Sequence, residues 1–115
     1  MIHSNDDGKK FTKICKVTDL SESSGKRFNV DGIDVAVFRQ RNEVYAMSNV
    51  CAHQHTSVIY ESFIEDGYAV CPSHGWMFCL KDGKRPEGRR GIDSYPIEIR
   101  NGEVFIHVYE KKCNF

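Results

Sequence analysis

Two short segments constrain this chain more than anything else in it: Cys51-Ala52-His53 and, after seventeen intervening residues, Cys71-Pro72-Ser73-His74, followed at once by Gly75 and Trp76. Each segment offers one thiol and one imidazole. A group bound by all four must be held by two separate stretches of backbone that the fold brings together. In an extended C-x-H segment, residues 51 and 53 project to the same side, which suits donors aimed at neighbouring metal atoms.

Ligand softness narrows the chemistry. Thiolates favour iron–sulfur clusters, and neutral imidazole can replace them on one iron, giving a mixed-ligand [2Fe–2S] centre. A tetrahedral Cys2His2 zinc site would use the same four side chains. Its paired ligands are usually separated by two to five residues, and C-x-H is tighter than that. Spacing alone leaves zinc open.

The two segments, with the string CPSHGW, resemble the Rieske family, and the resemblance covers roughly residues 10 to 109. It implies that Cys51 and Cys71 hold the inner iron and that His53 and His74 hold the outer one. His55 stands where the family often has glycine. Because C-x-H matches and C-x-x-x-H does not, His53 is the expected ligand and His55 a polar loop residue.

Departures from the respiratory branch of the family are informative. That branch adds a cysteine to each loop and joins them in a disulfide, but the corresponding residues here are Thr56 and Ser73. It also places hydroxyl donors where this chain has Trp76 and Phe78. Hydrogen bonds to the cluster sulfurs raise the potential. Without them the centre is expected toward the low end of the Rieske range, which runs from about −150 to +300 mV.

Size and composition fit a small electron carrier. A chain of 115 residues, 40% hydrophobic and 28% charged, makes one domain with a modest core. The separate iron domain of a Rieske oxygenase has no room, so the chain reads as a carrier and not an enzyme. No glycine-rich nucleotide motif is present. The expected partners are therefore a flavin-containing reductase as donor and a terminal oxygenase or related redox enzyme as acceptor. Lys plus Arg and Asp plus Glu both number 16, which gives no broad footprint for nucleic acid. The polar start MIHSNDDGKK and the lack of a long apolar run lead to the expectation of a cytoplasmic monomer away from membranes.

Five cysteines, an odd number, speak against a disulfide scaffold. Cys15, Cys79 and Cys113 are spare and are expected as reduced thiols, with Cys79 near enough to the second segment to be a candidate alternative ligand. Val44 through Tyr60 and Tyr68 through Leu80 contain no Asp, Glu, Lys or Arg. Such loops suit packing around a cluster and an apolar docking tip that includes Val58, Pro72 and Trp76.

Strand signals run almost throughout. Phe11 to Val17, Arg27 to Val30, Ile33 to Arg39 and Glu43 to Ser48, separated by turn signals that include Asp31-Gly32, read as a meander. Phe63-Ile64 and Tyr68 to Val70 flank Asp66-Gly67. Trp76 to Leu80 precedes Asp82-Gly83, and Tyr95 to Arg100 and Val104 to Tyr109 flank Asn101-Gly102. These Asx-Gly pairs are hairpin signals. The expected class is all-β, an antiparallel sandwich or small barrel spanning residues 1–115, with flexible termini. The resemblance adds a cluster-binding subdomain at about 46–82, with Lys84 to Ser94 as the loop returning to the base. Two alternatives remain: an accessory subunit similar to the small subunit of assimilatory nitrite reductase, which commonly lacks the ligands, and a zinc-stabilised interaction module.

Overall fold

The computed structural model describes residues 10–22, 24–50, 59–71, 75–88 and 91–109. Within them ten strands form three antiparallel sheets, and the helical elements are three single turns of 3-10 helix. None is long and apolar enough to cross a membrane.

The middle sheet is built from β2 (Gly25–Val30), β3 (Ile33–Gln40), β4 (Glu43–Ser48) and β8 (Ser94–Tyr95), in that order. Its centre is β3, where Val35, Ala36, Val37 and Phe38 are all fully buried. Successive strand residues face opposite ways, so this run has two apolar faces. Val35 and Val37 join one core with Val30, Val44, Ala46, Val104 and Ile106. Ala36 and Phe38 join another with Met47, Ile59, Ala69, Cys71, Phe78 and Leu80.

The first core is closed by β1 (Thr12–Lys16), β10 (Glu103–Ile106) and β9 (Ile97–Arg100), ordered β1-β10-β9. β1 does not extend the meander of β2 to β4. It pairs with β10 from the other end of the chain, with a bulge between Lys13 and Cys15, and Lys13 Nζ meets Glu103 Oε2 across the pair at 2.8 Å. The expected strand from Tyr95 to Arg100 is also divided. β8 ends at Tyr95 on the middle sheet and β9 begins at Ile97 on the other; Pro96 between them has no N–H for a ladder. Ile99 on β9 is 40% exposed.

The second core is closed by β5 (Phe63–Glu65), β6 (Tyr68–Val70) and β7 (Met77–Cys79), a three-stranded sheet in chain order. Three Asx-Gly pairs make the tight turns the sequence signals. Asp31-Gly32, Asp66-Gly67 and Asn101-Gly102 all have positive φ at both positions, the requirement of a type I′ hairpin. Asp82-Gly83 is different. It closes a turn in which Cys79 N–H donates to the Lys84 carbonyl at 2.7 Å, and the chain leaves in a loop without forming a second strand.

Candidate metal centre

Cys71 immediately follows β6 and is buried, 1% exposed. Its N–H donates to the Trp76 carbonyl at 2.8 Å, and its own carbonyl accepts from Gly75 N–H at 2.9 Å. The chain thus re-enters the sheet one hydrogen bond from where it left. Gly75 has φ +75, a conformation that favours glycine at this neck.

The other segment is closed by Asn49, which is fully buried. Its carbonyl accepts from Ile59 N–H at 3.2 Å, and its side-chain Oδ1 accepts from Tyr60 N–H at 2.7 Å. Residues 49 and 59–60, the two ends of the stretch that contains Cys51 and His53, are therefore tied by one residue. Ile59 and Cys71 belong to the same buried cluster, and Trp76 packs against it. Both necks rest on one core at one end of the small sheet.

Of the four expected ligands, Cys71 lies among the described residues. Cys51, His53 and His74 lie outside them, as do His55, Thr56, Val58, Pro72, Ser73 and Cys113. Accordingly no group of three or more His, Cys, Asp or Glu side chains is found that could hold a metal among the described residues. Of the spare thiols, Cys15 and Cys79 are described. Cys79 pairs with Tyr68 on β6, three residues before Cys71 and so about 10 Å away along the strand. Cys15 packs against the first core, and burial is the main reason its thiol pKa is pushed up.

Trp76 and Phe78 occupy the positions where the respiratory branch has hydroxyls. Phe78 is fully buried and Trp76 half-buried, their rings tilted with centroids 6.4 Å apart. Neither side chain carries a hydroxyl.

Sequence reasoning missed two residues here. Asn49 is a neutral loop residue with no motif around it. Arg85 lies outside the charge-free stretches, yet its guanidinium stacks on Trp76, 3.7 Å from the ring centroid, a favourable cation–π arrangement. A hollow of about 320 Å³ beside it is lined by Gly75, Trp76, Met77, Arg85, Pro86 and Glu87. Arg85 is delivered there by a backbone crossing. Ile92 N–H donates to the Gly83 carbonyl at 3.0 Å, and a Cβ on Gly91 would lie 1.9 Å from that same oxygen. The glycine pair at 83 and 91 lets the loop close beneath Arg85.

A buried thiol at one neck, and a second neck closed on the same core, fit a group bridged by two Cys/His segments. The model of the Rieske-like [2Fe-2S] domain matches residues 10–107. The chain belongs to that family. The 3-phenylpropionate/cinnamic acid dioxygenase ferredoxin subunit of Escherichia coli (strain K12) is 32% identical over 99 residues, covering 84% of this chain and 92% of the relative. Among solved structures, the ferredoxin of carbazole 1,9a-dioxygenase from Nocardioides aromaticivorans IC177 superposes with a TM-score of 0.75 at 22% identity, covering 84% of this chain and 97% of that one. The nitrite reductase [NAD(P)H] small subunit from Erwinia carotovora gives a TM-score of 0.74 at 27% identity, covering 91% and 86%. The cofactor of this Rieske-type chain is a [2Fe–2S] cluster, which displaces the zinc reading, and the chain is an electron-transfer protein.

Proposed function

We propose that Cys51, His53, Cys71 and His74 hold the cluster, and that the chain carries single electrons from a flavin-containing reductase to a terminal oxygenase as a cytoplasmic monomer. The observation that carries the reading is Cys71: a thiol buried at a hydrogen-bonded neck, on the same core as the neck of the C-x-H segment. When bound, the cluster supplies one reversible electron, and mixed nitrogen–sulfur ligation sets its potential range.

The residues of the chain do the rest. Asn49 and the Cys71–Trp76 and Gly75–Cys71 hydrogen bonds fix the necks. Phe78 and Ile59 fill the core beneath them and exclude water. A histidine bound through one ring nitrogen keeps the other free for hydrogen bonding, so His53 and His74 form the shortest protein route outward, and donor and acceptor dock in turn at one tip. An oxygenase acceptor is supported by the ferredoxin relative, which is named as a dioxygenase subunit. The intact ligand quartet favours this over the nitrite-reductase-subunit reading.

His53→Ala and His74→Ala should each abolish the mixed nitrogen–sulfur spectrum, whereas His55→Ala retains it. Loss with His55→Ala but not with His53→Ala would reassign the first ligand. For docking, Val58→Glu and Pro72→Glu should keep the cluster and slow transfer with both a reductase and an oxygenase. Unchanged rates with both would refute the shared tip.

A further inference from the structure

Asn49 uses both ends of its amide. While Oδ1 accepts from Tyr60 N–H at 2.7 Å, Nδ2 donates to Asp34 Oδ1 at 3.1 Å. Asp34 is in turn gripped by Arg27, whose Nε and Nη2 reach its two carboxylate oxygens at 3.0 Å each. The backbones repeat the connection, with Asn49 N–H donating to the Asp34 carbonyl at 3.0 Å. Arg27 and Asp34 sit on β2 and β3, opposite Ala36 and Asn29 in the ladder. Arg27 is exposed, Asp34 is partly covered and Asn49 is fully buried.

This line runs from the surface to the neck of the C-x-H segment. An amide that both donates and accepts has only one orientation that satisfies both partners, and the Asp34 carboxylate, an acceptor only, selects it. With that orientation set, Oδ1 can face only the Tyr60 N–H. The bidentate Arg27 pair fixes where the carboxylate stands.

We infer that Arg27, Asp34 and Asn49 form a positioning relay for the first ligand segment, so that a surface ion pair on β2 and β3 helps set the geometry at which that segment meets the metal. Asn49 is the positioning residue, and Asp34 and Arg27 orient it. The inference rests on the reading that Cys51 and His53 are ligands.

Its test is made on the purified holoprotein, with two readouts: the g-values of the reduced cluster by electron paramagnetic resonance, and the rate of iron release to a ferrous chelator under native conditions. Asn49→Asp places two carboxylates face to face and removes the donor between them. It should shift or broaden the g-values and speed iron release about tenfold, the scale of one charge-assisted hydrogen bond. The double variant Asn49→Asp/Asp34→Asn restores a donor opposite an acceptor with the roles exchanged but loses the bidentate grip of Arg27, and should return both readouts to about the level of Arg27→Gln. Arg27→Gln, a surface change that leaves the core intact, should speed iron release severalfold with an unchanged far-ultraviolet circular dichroism spectrum.

Parental g-values and release rates in Asn49→Asp, or a double variant no better than Asn49→Asp alone, would overturn the relay. If Asn49→Asp yields no folded protein, the decision falls to Arg27→Gln, and a parental release rate there overturns it equally. Failure of the ligand assignment is read separately, because His53→Ala would then keep the cluster.

Discussion

Gly25 on β2 stands against the second end of the C-x-H segment, and replacing it tests how that neck is held. A Cβ built there would lie 2.3 Å from the Tyr60 carbonyl oxygen and 2.6 Å from Cε1 of Phe38. Ordinary contact begins near 3.4 Å, so the carbonyl must retreat by about 1 Å. Neither neighbour yields readily, since one is backbone and the other is a fully buried ring. Forcing a methyl into such a site costs about 1–3 kcal/mol. Tyr60 N–H donates to Asn49 Oδ1 at 2.7 Å, and a shift of Tyr60 that weakens this bond adds about 1 kcal/mol. A total of about 2–4 kcal/mol corresponds to a fall in Tm of roughly 8–16 °C for a domain of this size. Thermal melts of Gly25→Ala and of the control Gly32→Ala make the comparison. Gly32 has φ +83 but open space around its Cβ position, so its alanine costs only the left-handed strain of about 1 kcal/mol. A Gly25→Ala variant melting within about 2 °C of the parent, or no lower than Gly32→Ala, would refute the close packing of β2 on this neck.

Cys15→Ser and Cys79→Ser should retain the visible spectrum of the cluster, since both thiols sit away from the necks; loss with Cys79→Ser would make it a ligand. The midpoint potential should be low and nearly flat from pH 6 to 9 by protein-film voltammetry, because Trp76 and Phe78 supply no hydroxyl donors, and Arg85→Gln should lower it further by removing a cation stacked on Trp76. A steep fall across neutrality would contradict this. Burial, with Asp93 adding to it, pushes the Tyr95 phenol up from 10.0 to about 12. The unfolded chain therefore ionises first, stability is intact below about pH 10 and is lost as pH rises toward 12, and Tyr95→Phe should flatten that loss in alkaline denaturant titrations.

Local chemistry was legible in the sequence wherever one short segment decides the outcome. Asp31-Gly32, Asp66-Gly67 and Asn101-Gly102 adopt the positive φ pairs expected of them, and β2 to β7 fall within a few residues of the apolar runs that mark them. The buried, two-faced character of β3 is visible in Val35-Ala36-Val37-Phe38. Long-range pairing was not legible. Nothing local in Thr12–Lys16 favours β10 over the neighbouring β2, and the passage of the chain between sheets at Pro96 depends on what each half packs against. The site divides in the same way. Ligand type and spacing, which are properties of the chain itself, single out Cys71, and the structure buries it directly after β6. Asn49 and Arg85 act through partners distant in sequence, Asp34 and Tyr60 in one case and Trp76 in the other, and a neutral amide or a loop arginine carries no mark of that.

Two Cys/His segments that share one iron–sulfur cluster fix the metal content of the protein, which metal analysis of anaerobically purified material measures. The expected result is two irons and two acid-labile sulfides per chain, with a rhombic paramagnetic signal on reduction that is lost in His53→Ala and His74→Ala. Stoichiometric zinc without sulfide, or a cluster that survives both substitutions, would contradict it.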